Sequence, residues 1–251
     1  MRDPDRPISR GVFILPNLFT TASLFAGFLS IIFAVTHKFD TAAWAILFAA
    51  LMDGLDGKVA RLTGSASQFG VEYDSLADVV SFGAAAAILA WSWQLHAFNR
   101  MGMAVSFLFL GCAALRLARF NVSVGTTSKK FFTGLPSPAS GCTMAAFVLF
   151  SPYIPASMLN AVPYITLGLS IITPLLMVSK VRYFSFKEVG FLKVHPFSSL
   201  VAALLLFVLI FTMPRLLLFI TLLGYILAGL LFTFLVLPRR NKKILRSLTQ
   251  S

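Results

Sequence analysis

The sequence predicts an all-α fold, namely a polytopic helical bundle that lies in a membrane. The 251-residue chain is 58% hydrophobic and only 12% charged, and its mean hydropathy is +0.86. A chain of this composition has too little polar surface to coat a globule in water, which excludes an ordinary soluble domain. Apolar stretches of roughly 16–25 residues recur along the chain, and about 20 helical residues cross a hydrocarbon layer of about 30 Å.

About eight transmembrane helices are expected from these apolar stretches. They occupy residues 13–36, 41–60, 72–95, 101–120, 138–154, 161–179, 196–212 and 214–237. Lys38 and Asp40 separate the first two stretches and Arg100 ends the third, because charged residues avoid the hydrocarbon. Pro155 and Pro214 mark later breaks, since proline removes a backbone donor and stops a helix. We expect residues 1–251 to form one integral membrane domain.

The distribution of basic residues predicts the orientation of the chain. With eight spans, 18 of the 21 Lys and Arg residues fall on one side of the membrane, and Lys38, Arg100 and Arg215 fall on the other. The positive-inside rule places the more basic side, with both termini, in the cytoplasm. The net charge of +12 is then a topology signal that suits anionic lipid headgroups, and no nucleic-acid partner is expected.

Acidic residues are scarce and concentrated in one segment. Five of the nine lie within residues 53–78, and they are Asp53, Asp56, Glu72, Asp74 and Asp78. Ionisable residues at membrane depth are costly and indicate a functional site. Asp53 and Asp56 are three residues apart on one predicted helix, and Asp74 and Asp78 are four apart on the next, so each pair shares a helix face. A hairpin of these helices would bring four carboxylates together at the cytoplasmic face.

Four crowded carboxylates repel one another unless a cation lies between them. Oxygen ligands select Mg²⁺, Mn²⁺ or Ca²⁺, and neither Cys nor His lies within this segment to favour zinc. Four carboxylates suit two divalent cations, a pair that recurs in phosphoryl transfer. Gly57, Ala60 and Gly70 leave room for a phosphate-bearing ligand, and Arg61 suits a phosphate clamp.

Two other interpretations of the acidic segment stay open. The aspartates can be helix caps or ion-pair partners, but only Lys58 and Arg61 are near in sequence, against five acids. A divalent-cation transporter is the stronger competitor, although transport sites usually lie near the midplane at a broken helix. Because the acidic residues lie at the predicted cytoplasmic ends of two spans, their placement favours metal-dependent phosphoryl chemistry.

The same spacing carries a family resemblance. The pattern Asp53-x2-Asp56-Gly57-x2-Ala60-Arg61-x8-Gly70-x3-Asp74-x3-Asp78 resembles, at every fixed position, the signature of the CDP-alcohol phosphatidyltransferase family. The resemblance implies that an alcohol attacks the β-phosphorus of a CDP-linked lipid and releases CMP. It further implies divalent cations at the aspartates, which we expect to be two Mg²⁺ or Mn²⁺ ions, and a homodimer.

The resemblance also implies a role for each matching position. The implied metal ligands are Asp53, Asp56, Asp74 and Asp78. Asp78 is in addition the implied general base that accepts the proton of the acceptor hydroxyl. The expected contacts to the CDP portion come from Gly57, Ala60, Arg61 and Gly70, and from Asn17 and Thr20 of the first span. Among these residues, Arg61 is the implied partner of the diphosphate.

Five further stretches narrow the resemblance to integral-membrane members of the family whose acceptor is L-serine. They are LPNLFTTASLFAGFLSI (15–31), EYDSLADVVSFG (72–83), ALRLARFNV (114–122), FTGLPSPAS (132–140) and VSKVRYFSFK (178–187). The resemblance covers roughly residues 12–190, so residues 191–251 add two spans and a basic tail. The implied substrates are CDP-diacylglycerol and L-serine, and the expected location is the inner (cell) membrane with the active site at its cytoplasmic face.

A serine acceptor needs a cation for its carboxylate. Arg116 and Arg119 lie one helical turn apart at the predicted cytoplasmic end of the fourth span, and Asn121 follows them. These three are the candidate serine-binding residues, and Arg119 is the first choice. The alternative is that the arginines only anchor the helix at the lipid interface. Glycerol 3-phosphate and inositol phosphate stay open as other acceptors, which would require more cationic ligands for their own phosphate.

Overall fold

The computed structural model describes residues 14–65, 67–123, 131–184, 204 and 212–236. Within these ranges the chain forms a bundle of helices, which confirms the predicted all-α class. The helices are α1 (Ile14–Val35), α2 (Phe39–Thr63), α3 (Gln68–Asp78), α4 (Ala85–Trp93), α5 (Asn99–Ser123), α6 (Ser137–Phe150), α7 (Val162–Val178) and α8 (Pro214–Leu231). Shorter turns of 3-10 helix cover Leu95–Phe98, Ser151–Tyr153 and Ala156–Ala161, and π-helical turns cover Val79–Ala84 and Phe232–Val236. Two strands of three residues each, β1 (Phe131–Thr133) and β2 (Arg182–Phe184), form an antiparallel pair.

Five helical stretches among the described residues are long and apolar enough to cross a membrane. They cover Pro16–Val35, Gln68–Trp93, Leu95–Val122, Ala156–Val178 and Pro214–Phe234. The 25-residue α2 carries four charged side chains in its C-terminal half, and α6 has only 14 residues. The chain is therefore an integral membrane protein. The number of eight spans stays a prediction, and the span expected at 196–212 lies outside the described residues except for positions 204 and 212.

A short turn joins the two helices that carry the acidic residues. α2 is capped at its C-terminal end by Gly64, whose φ of 67° is the left-handed conformation that glycine adopts without strain. α3 begins after Ser67, whose hydroxyl accepts a 3.0 Å hydrogen bond from the Gly70 backbone N–H. Both helices pack against α1. The turn therefore returns the chain along α1, so that α3 comes back toward the carboxylates of α2.

The π-helical segment Val79–Ala84 follows α3 without a break and lies at the centre of the bundle. α1 crosses this segment at Gly27, where an added Cβ would lie 2.6 Å from the Ser81 Cα. α6 crosses it at Gly141, where an added Cβ would lie 3.0 Å from the Phe82 Cα. Helix backbones therefore touch at both crossings, as small residues permit in membrane proteins. These contacts fix the position of the helix that directly precedes the segment.

Two backbone hydrogen bonds fix the loop that leads into α6. The Gly134 N–H donates to the Val181 carbonyl at 2.8 Å, and the Leu135 N–H donates to the Leu176 carbonyl at 3.0 Å. The antiparallel pairing of β1 with β2 lies next to these bonds in the chain. The start of α6 is thus held against the end of α7.

α8 closes the bundle by packing against α6 and β2. Gly229 lies so close to the buried ring of Tyr183 that a Cβ has no room there. The Tyr225 ring lies beside the same tyrosine, with the two ring centroids 5.5 Å apart. At the other end of α8, Arg215 forms a 2.9 Å ion pair with Asp40 at the start of α2. α8 is therefore held to the rest of the bundle at both of its ends.

Replacing Gly229 with alanine is expected to destabilise the protein, because the added Cβ would overlap with the buried Tyr183 ring. Overpacking of this kind costs about 1–3 kcal/mol, and thermal unfolding in detergent reports it as a lower Tm. Gly224→Ala on the same helix is the matched control, since an added Cβ there meets no described residue within 4 Å. Alanine favours a helix over glycine by roughly 0.5–1 kcal/mol, so the control is expected to keep or raise the Tm. Equal losses in both variants would contradict this contact.

Candidate active site

Three aspartates meet at the end of the α2–α3 unit. Asp53 and Asp56 lie one turn apart on α2, and Asp74 lies on α3. One carboxylate oxygen from each lies within 4.8 Å of the other two. Asp56 is buried, and the other two are half-buried. The structure thus brings together three of the four carboxylates that the spacing places on two helix faces.

Asp78, the fourth aspartate, lies one turn further along α3 and makes a different contact. Its side chain is only 7% exposed. Its Oδ2 accepts a 3.1 Å hydrogen bond from the hydroxyl of Ser137, the first residue of α6. Asp78 contributes no oxygen to the group of three that lie within 4.8 Å of one another. The carboxylates therefore divide into a cluster of three, which we call the aspartate triad, and Asp78 beside it.

The surroundings of the aspartate triad fit divalent cations. In the described ranges no Lys or Arg forms an ion pair with a triad carboxylate, and the one ion pair found there joins Arg215 to Asp40 at the far end of α2. The Thr20 hydroxyl of α1 donates a 2.8 Å hydrogen bond to Asp56 Oδ2. Three oxygen ligands at this separation, without an ion-pair partner among the described residues, suit a hard divalent ion.

A cavity of about 110 Å³ opens beside the aspartate triad, between α1, α2 and α3. Asp56 and Asp74 line it, so a ligand in the cavity lies next to the triad. Five of the six residues predicted to contact the CDP portion also line it, and they are Asn17, Thr20, Gly57, Ala60 and Gly70. A Cβ added at Gly70 would lie 3.5 Å from the Asn17 amide oxygen. The small residues thus form one wall of a recess that ends at the carboxylates.

Arg61, the sixth of these residues, lies at the exposed end of α2 and does not line the cavity. Its guanidinium nonetheless folds back along the helix. The Nη2 atom lies 4.0 Å from the point where a Cβ of Gly57 would stand. The side chain is therefore near the mouth of the cavity, and its predicted contact with the diphosphate stays a prediction.

The three candidate serine-binding residues occupy different places on α5. Arg116 is half-buried and its Nη1 donates a 3.1 Å hydrogen bond to the Ser137 hydroxyl, so it lies close to Asp78. Arg119 is exposed and its Nη1 donates to the Val178 carbonyl at 3.3 Å. The structure therefore places Arg116, rather than the first choice Arg119, next to the predicted general base.

Asn121, the third candidate, joins α5 to the outer face of α3. Its Nδ2 donates to Glu72 Oε2 at 2.8 Å, and its Oδ1 accepts from the Ser75 hydroxyl at 3.1 Å. These contacts occupy both ends of the amide. Asn121 thus acts as a bridge between two helices, and its predicted role in serine binding stays a prediction.

Ser137 is the residue that the sequence analysis missed. It lies in the stretch FTGLPSPAS (132–140), which contributes to the family resemblance without giving the serine a role. The local signal is that prolines flank it on both sides, which places it in the first turn of a helix. Its partner Asp78 is 59 residues away in the chain, and only the folded structure shows that contact.

The fold and the site define an integral membrane protein with an acidic centre beside a ligand cavity. A family model for CDP-alcohol phosphatidyltransferase matches residues 13–181, which is more than half of the chain. The chain belongs to the CDP-alcohol phosphatidyltransferase family, and it is a transferase.

Relatives in three organisms extend this comparison. The chain is 42% identical over 178 residues to the CDP-diacylglycerol–serine O-phosphatidyltransferase of Helicobacter pylori (strain J99), which covers 71% of this chain and 75% of that protein. It is 39% identical over 171 residues to the archaetidylserine synthase of Methanothermobacter thermautotrophicus, covering 67% and 69%. It is also 42% identical over 147 residues to the CDP-diacylglycerol–serine O-phosphatidyltransferase of Mycobacterium leprae, covering 55% and 49%.

Replacing Gly70 with alanine is expected to weaken binding of the CDP-lipid. The added Cβ would lie 3.2 Å from the capping Ser67 hydroxyl and 3.5 Å from the Asn17 amide oxygen, so it would narrow the cavity. We expect the KM for the CDP-lipid to rise about 10-fold, which corresponds to about 1.4 kcal/mol, with a smaller change in kcat. Steady-state kinetics in mixed micelles measure both constants.

The matched control for this variant is Gly54→Ala on α2. Among the residues that the structure describes, none lies within 4 Å of a Cβ added at Gly54, and this glycine does not line the cavity. Its kinetics are expected to match those of the wild type. An unchanged KM in Gly70→Ala, or an equal rise in Gly54→Ala, would contradict the assignment of the cavity to the CDP-lipid.

Proposed function

We propose that the protein transfers the phosphatidyl group of CDP-diacylglycerol to the hydroxyl of L-serine, giving phosphatidylserine and CMP. The single observation that carries the proposal is the position of Asp78, which lies between the aspartate triad on one side and Arg116 with Ser137 on the other. Asp74, one turn earlier on α3, lines the cavity. On the other side of Asp78, Arg116 offers a cation suited to a carboxylate. The names of the Helicobacter and Mycobacterium relatives support serine as the acceptor.

The CDP portion of the lipid enters the cavity between α1, α2 and α3. Its tails stay in the bilayer, because this cavity opens at the membrane-embedded α1. Asp53, Asp56 and Asp74 would hold the divalent cations, and Asp78 is a further candidate ligand; we propose two ions, Mg²⁺ or Mn²⁺. When bound, such ions supply positive charge to the diphosphate and to the phosphate of the departing CMP. Arg61 at the mouth of the cavity adds a fixed positive charge near the same phosphates.

Asp78 acts on the acceptor. Its carboxylate accepts the proton of the serine hydroxyl while the hydroxyl oxygen forms a bond to the β-phosphorus of CDP-diacylglycerol. The bond between that phosphorus and the bridging oxygen breaks, and CMP leaves with the bridging oxygen. Burial of Asp78 between α3 and α6 keeps water away from the base, which favours transfer to serine over hydrolysis.

Arg116 is the residue that we propose for the serine carboxylate. Its Nη1 is bonded to Ser137, and its buried Nε has no hydrogen-bond partner within the described residues. A buried guanidinium N–H without a partner is costly, and an incoming carboxylate would satisfy it. Arg119 lies one turn further along α5, toward the surface, where it can support the entry of serine.

We further propose that the site faces the cytoplasm of a cell (inner) membrane and that the protein is a homodimer. The triad lies at the end of α2 that also carries Lys58 and Arg61, whereas Asp40 and Arg215 meet at the opposite end. This arrangement agrees with the unequal distribution of basic residues along the chain. The homodimer is proposed from the family resemblance.

Release of CMP by the purified protein tests the proposed function. With CDP-diacylglycerol and Mg²⁺ or Mn²⁺ in detergent, CMP is expected only when L-serine is added, and phosphatidylserine is the expected lipid product. Asp78→Asn is expected to abolish turnover while keeping the wild-type Tm, because an amide cannot accept the hydroxyl proton. Asp40→Asn is the matched control, since this aspartate pairs with Arg215 far from the triad.

Three results, from this assay or from a liposome flux assay, would contradict the proposal. CMP release that depends on glycerol 3-phosphate or inositol phosphate would keep the family and change the product. Metal flux into liposomes without any CMP release would favour a cation transporter. Near-normal turnover of Asp78→Asn would refute its assignment as the base.

Replacing Arg116 with lysine is expected to raise the KM for serine at least about 10-fold, because lysine keeps the charge but loses the forked geometry that suits a carboxylate. The KM for CDP-diacylglycerol is expected to stay within about 2-fold, a difference too small to indicate a lost contact. Arg100→Lys at the opposite end of the same helix is the control. A larger effect of Arg119→Lys on the serine KM would instead support Arg119 as the carboxylate ligand.

A further inference from the structure

Ser137 links the predicted base to the predicted carboxylate ligand. Arg116 Nη1 lies 3.1 Å from the Ser137 hydroxyl, and that hydroxyl lies 3.1 Å from Asp78 Oδ2. The three side chains come from α5, α6 and α3. We propose that Ser137 is a positioning residue for the reaction, which orients the Asp78 carboxylate toward the acceptor hydroxyl. This inference rests on the proposed function, because it concerns the step in which Asp78 accepts a proton.

The chemistry of the two neighbours fixes the direction of the Ser137 proton. A guanidinium carries only donors, so the Ser137 oxygen must accept from Arg116. A carboxylate carries only acceptors, so the hydroxyl proton must point to Asp78. A free serine hydroxyl rotates among several orientations, whereas this one has a single orientation that satisfies both neighbours. The hydrogen bond to Asp78 Oδ2 is therefore directional and present before substrate binds.

The loop that leads to Ser137 is anchored to α7 and to the residue Val181 after it, and neither carries any of the four aspartates. The loop before α6 is held by the hydrogen bonds from Gly134 to Val181 and from Leu135 to Leu176. Ser137 is the first residue of α6, directly after the N-cap residue Pro136. It is 1% exposed, so water does not compete for its hydroxyl. The serine therefore presents its hydroxyl from a fixed support, and Asp78 adjusts to it.

Engagement of Oδ2 leaves the second oxygen of Asp78 for the reaction. A carboxylate that turns freely about its χ2 angle would present either oxygen to the acceptor. With Oδ2 held by Ser137, Oδ1 is the oxygen left for the acceptor hydroxyl. Ser137 thus keeps Asp78 available as a base beside the cations that the triad would hold.

A simpler explanation is that Ser137 only satisfies a buried hydroxyl. Ser140 argues against this explanation, because it lies one turn later on α6, is 0% exposed, and has a hydroxyl without a hydrogen-bond partner in the described part of the chain. Adjacent turns of one helix therefore contain one buried serine with a defined partner and another without. A buried serine on α6 therefore does not need a hydrogen-bond partner, and the bond from Ser137 to Asp78 is specific to the site.

The paired variants Ser137→Ala and Ser140→Ala test the inference. Each removes one buried hydroxyl from the first turns of α6, so their effects on helix packing are similar. Ser137→Ala is expected to lower kcat about 10-fold or more, as expected for the loss of a hydrogen bond to a charged group. Its KM for CDP-diacylglycerol is expected to stay within about 2-fold of the wild type, since that substrate loses no contact. Ser140→Ala is expected to keep both kcat and KM.

A second readout separates positioning from loss of the cation site. The rise of Tm that Mn²⁺ produces in the detergent-solubilised protein is expected to be the same in the wild type, Ser137→Ala and Ser140→Ala. Loss of this rise in Ser137→Ala would overturn the inference, because the serine would then support the cation ligands. An equal fall of kcat in both variants, or a wild-type kcat in Ser137→Ala, would overturn it as well.

The wild-type assay shows separately whether the proposed function fails. If the wild type releases CMP with a different acceptor, the proposal of serine is wrong, and the two variants are compared with that acceptor instead. The expected ratio of their kcat values is the same, because Asp78 faces the hydroxyl of any acceptor. If the wild type releases no CMP with any acceptor, the proposed function and this inference are both overturned.

Discussion

The contact of three helix backbones at the π-helical segment Val79–Ala84 is the constraint on which the site depends. α1 at Gly27 and α6 at Gly141 approach this segment so closely that neither position has room for a side chain. The carboxylates directly before the segment therefore have little freedom to separate, although they repel one another. A wider helical turn at a functional site is a recurring feature. Here it follows the helix that supplies two of the four aspartates.

Bringing four aspartates together away from water destabilises the fold. Removing a carboxylate from water has an effective cost of several kcal/mol even after the protein relaxes. The described residues offset little of this cost. Asp56 and Asp78 each accept one hydrogen bond from a hydroxyl, and no basic side chain in the described ranges forms an ion pair with the triad. Divalent cations in this cluster would offset the cost, and their binding would then be coupled to folding of this end of the bundle.

Local spacing was enough to find much of the site, and contacts between distant segments were not predictable. Asp53 and Asp56 lie three residues apart on one helix face, and a short turn brings Asp74 of the next helix beside them, as the structure confirms. The first span was expected at 13–36, and α1 covers Ile14–Val35. Arg116 and Arg119 look equivalent in sequence because they lie one turn apart, and only the crossing with α6 distinguishes them. Ser137 meets Asp78 across 59 residues, a contact without a periodic signal.

The enclosure of α6 has a consequence for how the chain enters the bilayer. A helix of 14 residues is about 21 Å long, shorter than the roughly 30 Å of a hydrocarbon layer. Nearly every side chain of α6 is buried, and α2, α7 and α8 all pack against it. A helix that is both short and enclosed gains little from contact with lipid during synthesis. We expect α6 to become stably inserted only after α8, more than sixty residues later in the chain, has left the ribosome and covered it.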